Sequence, residues 1–379
     1  MSIQMNITKL IIDTDHSYKA YSEGEWTSFC LIDCGLFMTS ERAMNMHDRI
    51  DGMQNLRDCN LDQLTELHIS YGTVSIMKVV KMVVSILREK LQNCSTITKC
   101  KIKYDLISDL NLDLRSVEEL EIRWTSPKTK IVSIPHSLRS LDKLQSLSLV
   151  CRGADNVTLS STNYKYPSLT KLYSHRIRIP KGLLKSSEQL TDLSLSSVQS
   201  ILPEIYTVST LTKLSFFDIK SSKTLLMEKW ESLSNLEELR IRTVGDVILE
   251  LPESLSTLTN LKKLTVSKIG LELLPEYLNT YPTLEYLDVS DNRLDDLVDM
   301  PATLTALRAS GNQFTSCPSV LLNPNLHIDI VDISCPSLSL TEEQILSLLS
   351  RSKSLSIQGN NTVDIDSMIC RSDYRVLRV

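Results

Sequence analysis

The sequence lacks the features that would place it in a membrane, on nucleic acid or outside the cell. No apolar run approaches the roughly 20 residues that cross a bilayer. The amino terminus, MSIQMNITKLIID, has no basic region followed by an apolar core, as a signal peptide would. The formal net charge of the 379 residues is only −5, which is too small for a general attraction to nucleic acid or membrane surfaces. We therefore expect no membrane insertion, no nucleic-acid partner, and a cytoplasmic or nuclear location.

The nine cysteines form no metal-binding or redox pattern. They are scattered and odd in number, and no C-x-x-C pair occurs among them. Three of them, Cys34, Cys100 and Cys317, stand where an apolar residue is expected. We interpret the cysteines as small buried thiols in a reducing compartment. Cys370 is the one candidate nucleophile near the end of the chain.

Motifs of catalysis and of cofactor binding are also absent. The sequence contains no G-x-x-x-x-G-K-S/T phosphate loop, no G-x-G-x-x-G, no H-E-x-x-H and no G-x-S-x-G. The six histidines stand singly, and a lone histidine is much more often a packing or surface residue than a catalyst. We therefore predict a protein that is not an enzyme and that needs neither a cofactor nor a metal ion.

The sequence does contain a repeated apolar pattern, which is clearest in residues 251–316. L-x-x-L-x-apolar occurs three times there, beginning at Leu261, Leu284 and Leu304. An asparagine follows the second and third copies, at Asn292 and Asn312. Segments of the form L-P-x-x-L lie outside the copies, at 251–255 and 274–278, and the similar CPSVL lies at 317–321. Because the last two apolar residues of each copy are two apart, they share one face of a short strand.

This pattern resembles that of the leucine-rich repeat family, L-x-x-L-x-L-x-x-N-x-L with a period of about 20 to 29 residues. The same template, searched along the whole chain, predicts strand cores that lie 20 to 33 residues apart. They begin at Ile7, Leu31, Leu64, Ile97, Val117, Leu144, Leu169, Leu190, Leu211, Leu236, Leu261, Leu284, Leu304, Ile328, Ser352 and Tyr374.

The resemblance implies an α/β fold, a leucine-rich repeat solenoid or horseshoe, with about 16 parallel strands on its concave face. We expect residues 1–379 to form one array, with atypical repeats or a cap at 1–63, the main array at 64–335, and further repeats or a cap at 336–379. The asparagines should satisfy backbone groups where the chain leaves each strand. A bare end of the array would allow association with a second copy.

The segments that return the chain to the next strand should differ along the array. Residues 74–93 have apolar residues at helical spacing, which predicts an α-helix, and MTSERAMNMHDRIDGM at 38–53 predicts another. The middle repeats are too short for a full helix and should return through extended or 3-10 segments. Residues 339–349 predict a helix that is capped by Ser339 or Thr341.

We expect a protein partner to bind the concave face, where the variable strand residues point away from the core. Aromatic and arginine side chains are enriched in interface hot spots, so we choose Trp124, Tyr173, Phe217 and Tyr286 as anchors. Cross-strand charge pairing that merely keeps this face hydrated, and aromatic rings tucked against neighbouring strands, stay open as alternatives. The predicted binding residues are Lys101, Lys103, Tyr104, Glu121, Arg123, Trp124, Tyr173, His175, Phe217, Arg240, Arg242, Tyr286 and Asp288.

The main prediction is thus a non-enzymatic scaffold, adaptor or effector that binds another protein. The stretch MPATLTALRASGNQFTSCP is similar to repeats of secreted bacterial effectors, some of which carry a ubiquitin-ligase domain. A ubiquitin-ligase component, either the enzyme or its substrate adaptor, is therefore one alternative, and as an effector the protein would be secreted into a host cell. A sensor of a non-protein ligand, such as a carbohydrate or a lipid, is the other.

Overall fold

The computed structural model describes residues 9–13, 28–32, 35–38, 61–62, 64–70, 85–91, 94–104, 110, 112, 114–125, 127–154, 157–161, 163–198, 202–218, 230–243 and 250–358. The chain divides into two units, Met1–Gln189 and Leu190–Val379. Its assignment to one continuous array over 1–379 stays a prediction. The expected helix at 38–53, the strand at Tyr374 and the thiol of Cys370 lie outside the described residues.

The first unit is built around a sheet in which most neighbouring strands are parallel. Along this sheet the strands follow the order β3-β2-β1-β4-β5-β6-β8-β10. The strands of the unit are β1 (Lys9–Asp13), β2 (Ser28–Ile32), β3 (Gly35–Met38), β4 (Glu66–Ser70), β5 (Lys99–Lys103), β6 (Glu119–Thr125), β7 (Ile131–Val132), β8 (Ser146–Arg152), β9 (Val157–Leu159), β10 (Lys171–His175) and β11 (Ile177–Arg178).

The return segments of the first unit are partly helical and partly extended. Helix α1 covers the described residues 85–91, as the apolar spacing predicts, and helix α2 is Lys181–Lys185. Strands β7, β9 and β11 form a second, three-stranded parallel sheet on the returning side. The sequence predicts extended segments there, but not that they pair with one another.

The prediction of one repeat strand beginning at Leu31 is wrong. Strand β2 pairs with β3 in antiparallel fashion, with Ile32 opposite Gly35. The physical reason is the length of the connection: parallel neighbours need a crossover of about a dozen or more residues, whereas only residues 33 and 34 separate β2 from β3. Strand β1 lies between β2 and β4 and is parallel to both.

The second unit is more regular, and each of its strands is parallel to the next in chain order. The strands are β12 (Asp192–Ser196), β13 (Lys213–Phe217), β14 (Glu238–Arg242), β15 (Lys263–Ser267), β16 (Tyr286–Asp288), β17 (Ala306–Arg308), β18 (Ile330–Asp332) and β19 (Ser354–Ser356). The expected α/β repeat fold is therefore confirmed.

Short 3-10 helices return the chain in the second unit, at Pro203–Thr207, Trp230–Leu233, Glu253–Thr257, Glu276–Thr280 and Ser319–Leu322. The longest described return is helix α3, Glu342–Leu349, whose N-cap is Thr341. Its side chain accepts from the backbone N–H of Gln344, and the Gln344 side chain accepts from the backbone N–H of Thr341. Both the 3-10 returns and the capped helix agree with the sequence prediction.

The core of the second unit is a stack of apolar side chains at equivalent strand positions. Leu214, Leu239, Leu264, Leu287 and Leu307 are cross-strand neighbours in succession, and each is at most 1% exposed. Burying one such side chain contributes about 1.5 to 3 kcal/mol. No single repeat could cover its own apolar face, so stability comes from contact between neighbours.

The two predicted asparagines bond the backbone as expected. Asn292 accepts from the N–H groups of Ile269 and Leu271 at 3.1 and 3.2 Å, and it donates to the carbonyls of Val266 and Val289 at 2.7 and 2.9 Å. Three of these four groups belong to the preceding repeat. Asn292 therefore both closes its own turn and ties it to the turn before.

Threonine hydroxyls at the entrance to the strands form a second set of bonds between repeats. Thr283 donates to the carbonyl of Leu261 at 2.9 Å, and Thr303 donates to that of Leu284 at 2.8 Å. Thr210 does the same to Leu190 at 2.6 Å. Each hydroxyl thus reaches back by one repeat to the residue that begins the preceding strand core.

Raising the pH above 10 is expected to destabilise the protein through three phenols, of which Tyr166 and Tyr281 are buried and Tyr277 is half-buried. Tyr166, Tyr277 and Tyr281 donate to backbone carbonyls at 2.6, 2.9 and 2.7 Å, and burial raises the pKa of each phenol well above its ordinary 10. Their contribution is complete below pH 10. Above it the unfolded chain loses protons that the fold retains, so the contribution falls as the pH rises towards the folded pKa.

Urea denaturation at pH 9 and pH 10.5 measures this effect. We expect the free energy of unfolding to fall by about 1 to 2 kcal/mol across this interval. The variant Tyr277→Phe/Tyr281→Phe, compared with itself at the two pH values, should lose clearly less. An equal loss in the variant would show that these phenols are not responsible.

Candidate interaction surface

The face of each sheet opposite the buried leucines is called here the open face. In the second unit the strand register aligns its outward residues in three rows. The first row is Asp192, Lys213, Glu238, Lys263, Tyr286, Ala306, Ile330 and Ser354. The second row is Ser194, Ser215, Arg240, Thr265, Asp288, Arg308, Asp332 and Ser356. The third row begins Ser196, Phe217, Arg242 and Ser267.

On the open face of the first unit, lysines of β5 pair with glutamates of β6, as in the alternative of cross-strand charge pairing. Lys101 Nζ lies 3.0 Å from Glu121 Oε2, Lys99 Nζ lies 3.1 Å from Glu119 Oε1, and Arg123 bonds the other oxygen of Glu121. Glu119 also raises the pKa of the Lys99 amine. These charges satisfy one another across the strands. The side chain of Lys103 lies outside the described residues, although its backbone is opposite Arg123.

Trp124 does not lie on the open face, and the prediction that it is an anchor is wrong. Its side chain is 4% exposed and shares the core side of β6 with Leu120 and Ile122. Tyr104 stacks on it, with ring centroids 5.5 Å apart and planes at 25°, so Tyr104 is withdrawn from the open face as well. The cause is the two-residue period: β6 continues past Ile122, and the next inward position is Trp124.

Tyr173 and His175 do lie on the open face of the first unit. They alternate with the buried Leu172 and Ser174 on β10. Tyr173 is 37% exposed, and His175 is half-buried. Among the predicted residues of this unit, Tyr173 is the aromatic side chain on the open face, and it has an interaction within the protein.

The predicted residues of the second unit all lie on its open face. Phe217, Arg240, Arg242, Tyr286 and Asp288 alternate with buried core residues on β13, β14 and β16. The two arginines are exposed, and Phe217, Tyr286 and Asp288 are half-buried. These five residues lie on strands that are close neighbours in one sheet, so one partner could contact all of them.

Tyr286 is the centre of this group. Its hydroxyl donates to Asp288 Oδ2 at 3.4 Å, and the guanidinium carbon of Arg308 lies 6.0 Å from the ring centroid. Burial raises the pKa of the phenol and Asp288 adds to this, while Arg308 and Arg240 act in the opposite direction. Both guanidiniums are therefore close enough to Tyr286 to oppose the rise in the pKa of its phenol.

The sequence prediction missed three residues that extend this group, Arg308, Ile330 and Asp332. Ile330 is 44% exposed although it is aliphatic, and Arg308 and Asp332 flank it in the neighbouring row. The repeat template itself predicts that these residues face outward, because all three occupy its variable positions. An exposed isoleucine is the least expected of them at such a position.

Two kinds of feature are absent from the described residues. They include no group of three or more histidine, cysteine or acidic residues that could hold a metal ion, and no helix long and apolar enough to cross a bilayer. Cys94, Cys100, Cys151, Cys317 and Cys335 are buried and form no disulfide, as predicted for these five. Burial raises the pKa of the Cys100 thiol to about 12 and that of Cys317 to about 11, so both remain protonated at neutral pH.

No protein-family model and no curated protein matches the chain. Similar solved structures include an internalin of Listeria monocytogenes, which is 17% identical, with 90% of this chain and 86% of that chain covered and a TM-score of 0.47. A leucine-rich repeat protein of Leptospira interrogans is 18% identical over 77% of this chain and 98% of its own, with a TM-score of 0.41. A chain of the Toll–Spatzle complex of Drosophila is 15% identical over 89% and 54%, with a TM-score of 0.48. At these identities the similarity concerns the fold alone.

Proposed function

Because this chain has the leucine-rich repeat fold, whose stacked strands leave one face of the sheet uncovered, we propose that it is a non-enzymatic module that binds a protein partner. The partner docks on the open face of the second unit. One observation carries this proposal: Tyr286, Arg240 and Arg308 form a single group on that face. Aromatic and arginine side chains of this kind supply most of the affinity of protein interfaces.

The first unit supports the proposal by contrast. Lys101 and Arg123 are already bound to Glu121, and Trp124 and Tyr104 stack on each other at the core side of the sheet. A partner would have to break these ion pairs before using those charges. In the second unit Arg240 is also paired, to Glu238, but Arg308 lies over the Tyr286 ring and makes no ion pair among the described residues. Tyr173 is the residue of the first unit that we retain as a secondary contact.

A cytoplasmic or nuclear location also belongs to the proposal. Cys94, Cys100, Cys151, Cys317 and Cys335 are buried and form no disulfide. Buried cysteines without disulfides suit a reducing compartment. The protein would then act as a scaffold or an adaptor inside the cell.

Affinity capture from cell extract tests the binding site. The double variant Arg240→Ala/Tyr286→Ala is expected to lose the partners that the wild type recovers, because each hot-spot truncation costs about 2 kcal/mol or more, roughly thirtyfold in Kd. The purified partner should then bind the variant at least about a hundredfold more weakly in calorimetry.

The control is Lys181→Ala/Lys185→Ala, which removes two charges from helix α2 on a return segment. It should recover the same partners as the wild type. Both variants should remain folded in circular dichroism, although the loss of Arg240 lowers the melting temperature of the open-face variant, because Glu238 then keeps only Lys213 at 3.7 Å. The proposal fails if the open-face variant recovers the wild-type partners at full yield, or if the α2 variant loses them.

A further inference from the structure

We infer that the open face of the second unit recognises an extended acidic segment, in which an apolar residue lies two positions from an aspartate or glutamate. This inference rests on the proposed function and specifies the partner's chemistry. The binding elements are an apolar row, Tyr286, Ala306 and Ile330, and a set of cations around it.

The carboxylates of this face are already occupied by groups of the protein itself. Glu238 is 8% exposed and is held by Arg240 and, at 3.7 Å, by Lys213. Asp288 accepts from the backbone N–H of Ser290 at 3.0 Å and from the Tyr286 hydroxyl. A basic partner would therefore compete with internal donors for these oxygens.

Asp332, the cross-strand neighbour of Arg308 on β18, also accepts a hydrogen bond from the protein itself. Its Oδ1 accepts from the backbone N–H of Ser334 at 3.2 Å. The fourth carboxylate, Asp192 at the far end of the first row, also has an interaction within the protein. Each carboxylate in the two complete rows thus has at least one internal partner.

Several cations of the face have no such partner among the described residues. The ion pairs within 4.0 Å in this part of the chain include none made by Lys263, Arg242 or Arg308, and all three are exposed. Arg308 is opposite Asp288 and Asp332 in the register, yet its guanidinium lies over the Tyr286 ring. The uncompensated charge of the face is therefore positive, and incoming carboxylates would form charge-assisted hydrogen bonds with it.

The apolar row gives the segment a fixed position. Tyr286, Ala306 and Ile330 are successive cross-strand neighbours, so they cover about 10 Å along the row at the usual strand spacing. Lys263 continues this row beyond Tyr286. Ile330 is 44% exposed. A partner that covers it would add apolar burial that the isolated protein lacks.

The spacing of the two rows determines the spacing in the partner. Ala306 and Arg308 are two apart on β17, which places the apolar and cationic rows about 6.6 Å from each other. An extended peptide also repeats its side chains at this distance on one side. Ala306 itself is only 9% exposed, so an apolar residue of the partner would sit above it, between Tyr286 and Ile330. That position brings an acidic residue two positions away to Arg308.

The whole chain is acidic, with a formal net charge of −5, so a general attraction does not account for such binding. Long-range electrostatics would repel an acidic segment from most of the protein. Recognition must then come from the local arrangement of Arg242, Lys263 and Arg308, the three cations that make no ion pair among the described residues of this face. This makes the inference specific to one surface.

Display selection with a library of random dodecapeptides tests the inference, with the full chain as the target. Peptides selected by the wild type should be enriched in aspartate and glutamate two positions from an apolar residue. A synthetic peptide from this selection should bind about tenfold more weakly to Arg242→Gln/Arg308→Gln and to Ile330→Ser. Its affinity should also fall when the salt concentration is raised from 0.05 to 0.5 M.

The charge-matched control is Lys181→Gln/Lys185→Gln on helix α2, which should bind the peptide like the wild type. The inference is overturned if selected peptides are neutral or basic, if acidic peptides bind the arginine variant equally well, or if no peptide is enriched. Neutral or basic peptides that lose binding in Tyr286→Ala would leave the proposed function standing. Peptides that are insensitive to every open-face substitution would contradict both.

Discussion

Replacing Asn292 with alanine is expected to lower the free energy of unfolding of the second unit by about 3 to 5 kcal/mol. The amide satisfies four buried backbone groups, two N–H groups and two carbonyls, and its side chain is 6% exposed. Alanine can satisfy none of them. The Val289 carbonyl keeps a bond from Asn312 at 3.0 Å, and each buried polar group left unpaired costs about 1 to 3 kcal/mol. Partial hydration of the small cavity keeps the total below the simple sum.

Asn260→Ala supplies the matched control. Asn260 also bonds a backbone carbonyl of the preceding repeat, that of Ser234 at 2.8 Å, but at an exposed position. Water can replace that bond, so the cost should stay within about 0.5 kcal/mol. Urea denaturation followed by far-UV circular dichroism measures both variants. Equal destabilisation by the two substitutions would refute the role assigned to the buried amide.

Replacing Trp230 with alanine is expected to lower the free energy of unfolding by about 3 to 5 kcal/mol, because it removes a large buried side chain. Trp230 is fully buried and packs edge-on against Tyr206, with ring centroids 5.1 Å apart and planes at 78°. It begins the 3-10 segment that returns the chain to β14. The cavity would therefore separate the return segments of two successive repeats.

Trp230→Phe distinguishes packing from hydrogen bonding. The indole Nε1 is buried and has no hydrogen-bond partner among the described residues, so phenylalanine loses volume but no bond. We expect a cost of about 1 to 2 kcal/mol, well below that of alanine. A phenylalanine variant as unstable as the alanine variant in urea would mean that the indole N–H, rather than ring volume, is what matters here.

The leucine spacing was sufficient to predict the strands of the second unit. Strands there follow one another in chain order, so each leucine packs between the equivalent residues of the preceding and the following repeat. The leucine spacing failed at Leu31, where an apolar sequence of similar composition forms half of a hairpin. Local pattern does not distinguish these outcomes; the length of the connection does. The pairing of β7, β9 and β11 was likewise invisible, since it depends on how returning segments stack rather than on their own residues.

The candidate site was predicted less completely than the fold, for two different reasons. Trp124 was placed on the wrong face because the template ends at Ile122, whereas the strand continues to Thr125. Arg308 was missed because its importance depends on the position of its guanidinium over Tyr286 rather than on either neighbouring aspartate. The alternation of inward and outward residues along a strand can be counted in a sequence, whereas the conformation of a side chain cannot be found by counting.

The threonine bonds between repeats have a consequence for engineering the protein. Thr283 and Thr303 each reach the residue that begins the preceding strand core, and residues 284–303 lie between these equivalent points. A duplicate of this 20-residue block, inserted after residue 303, would offer its neighbours the same carbonyl and the same hydroxyl. The surface for a ligand could thus be widened by one strand, about 4.8 Å, without designing a new junction.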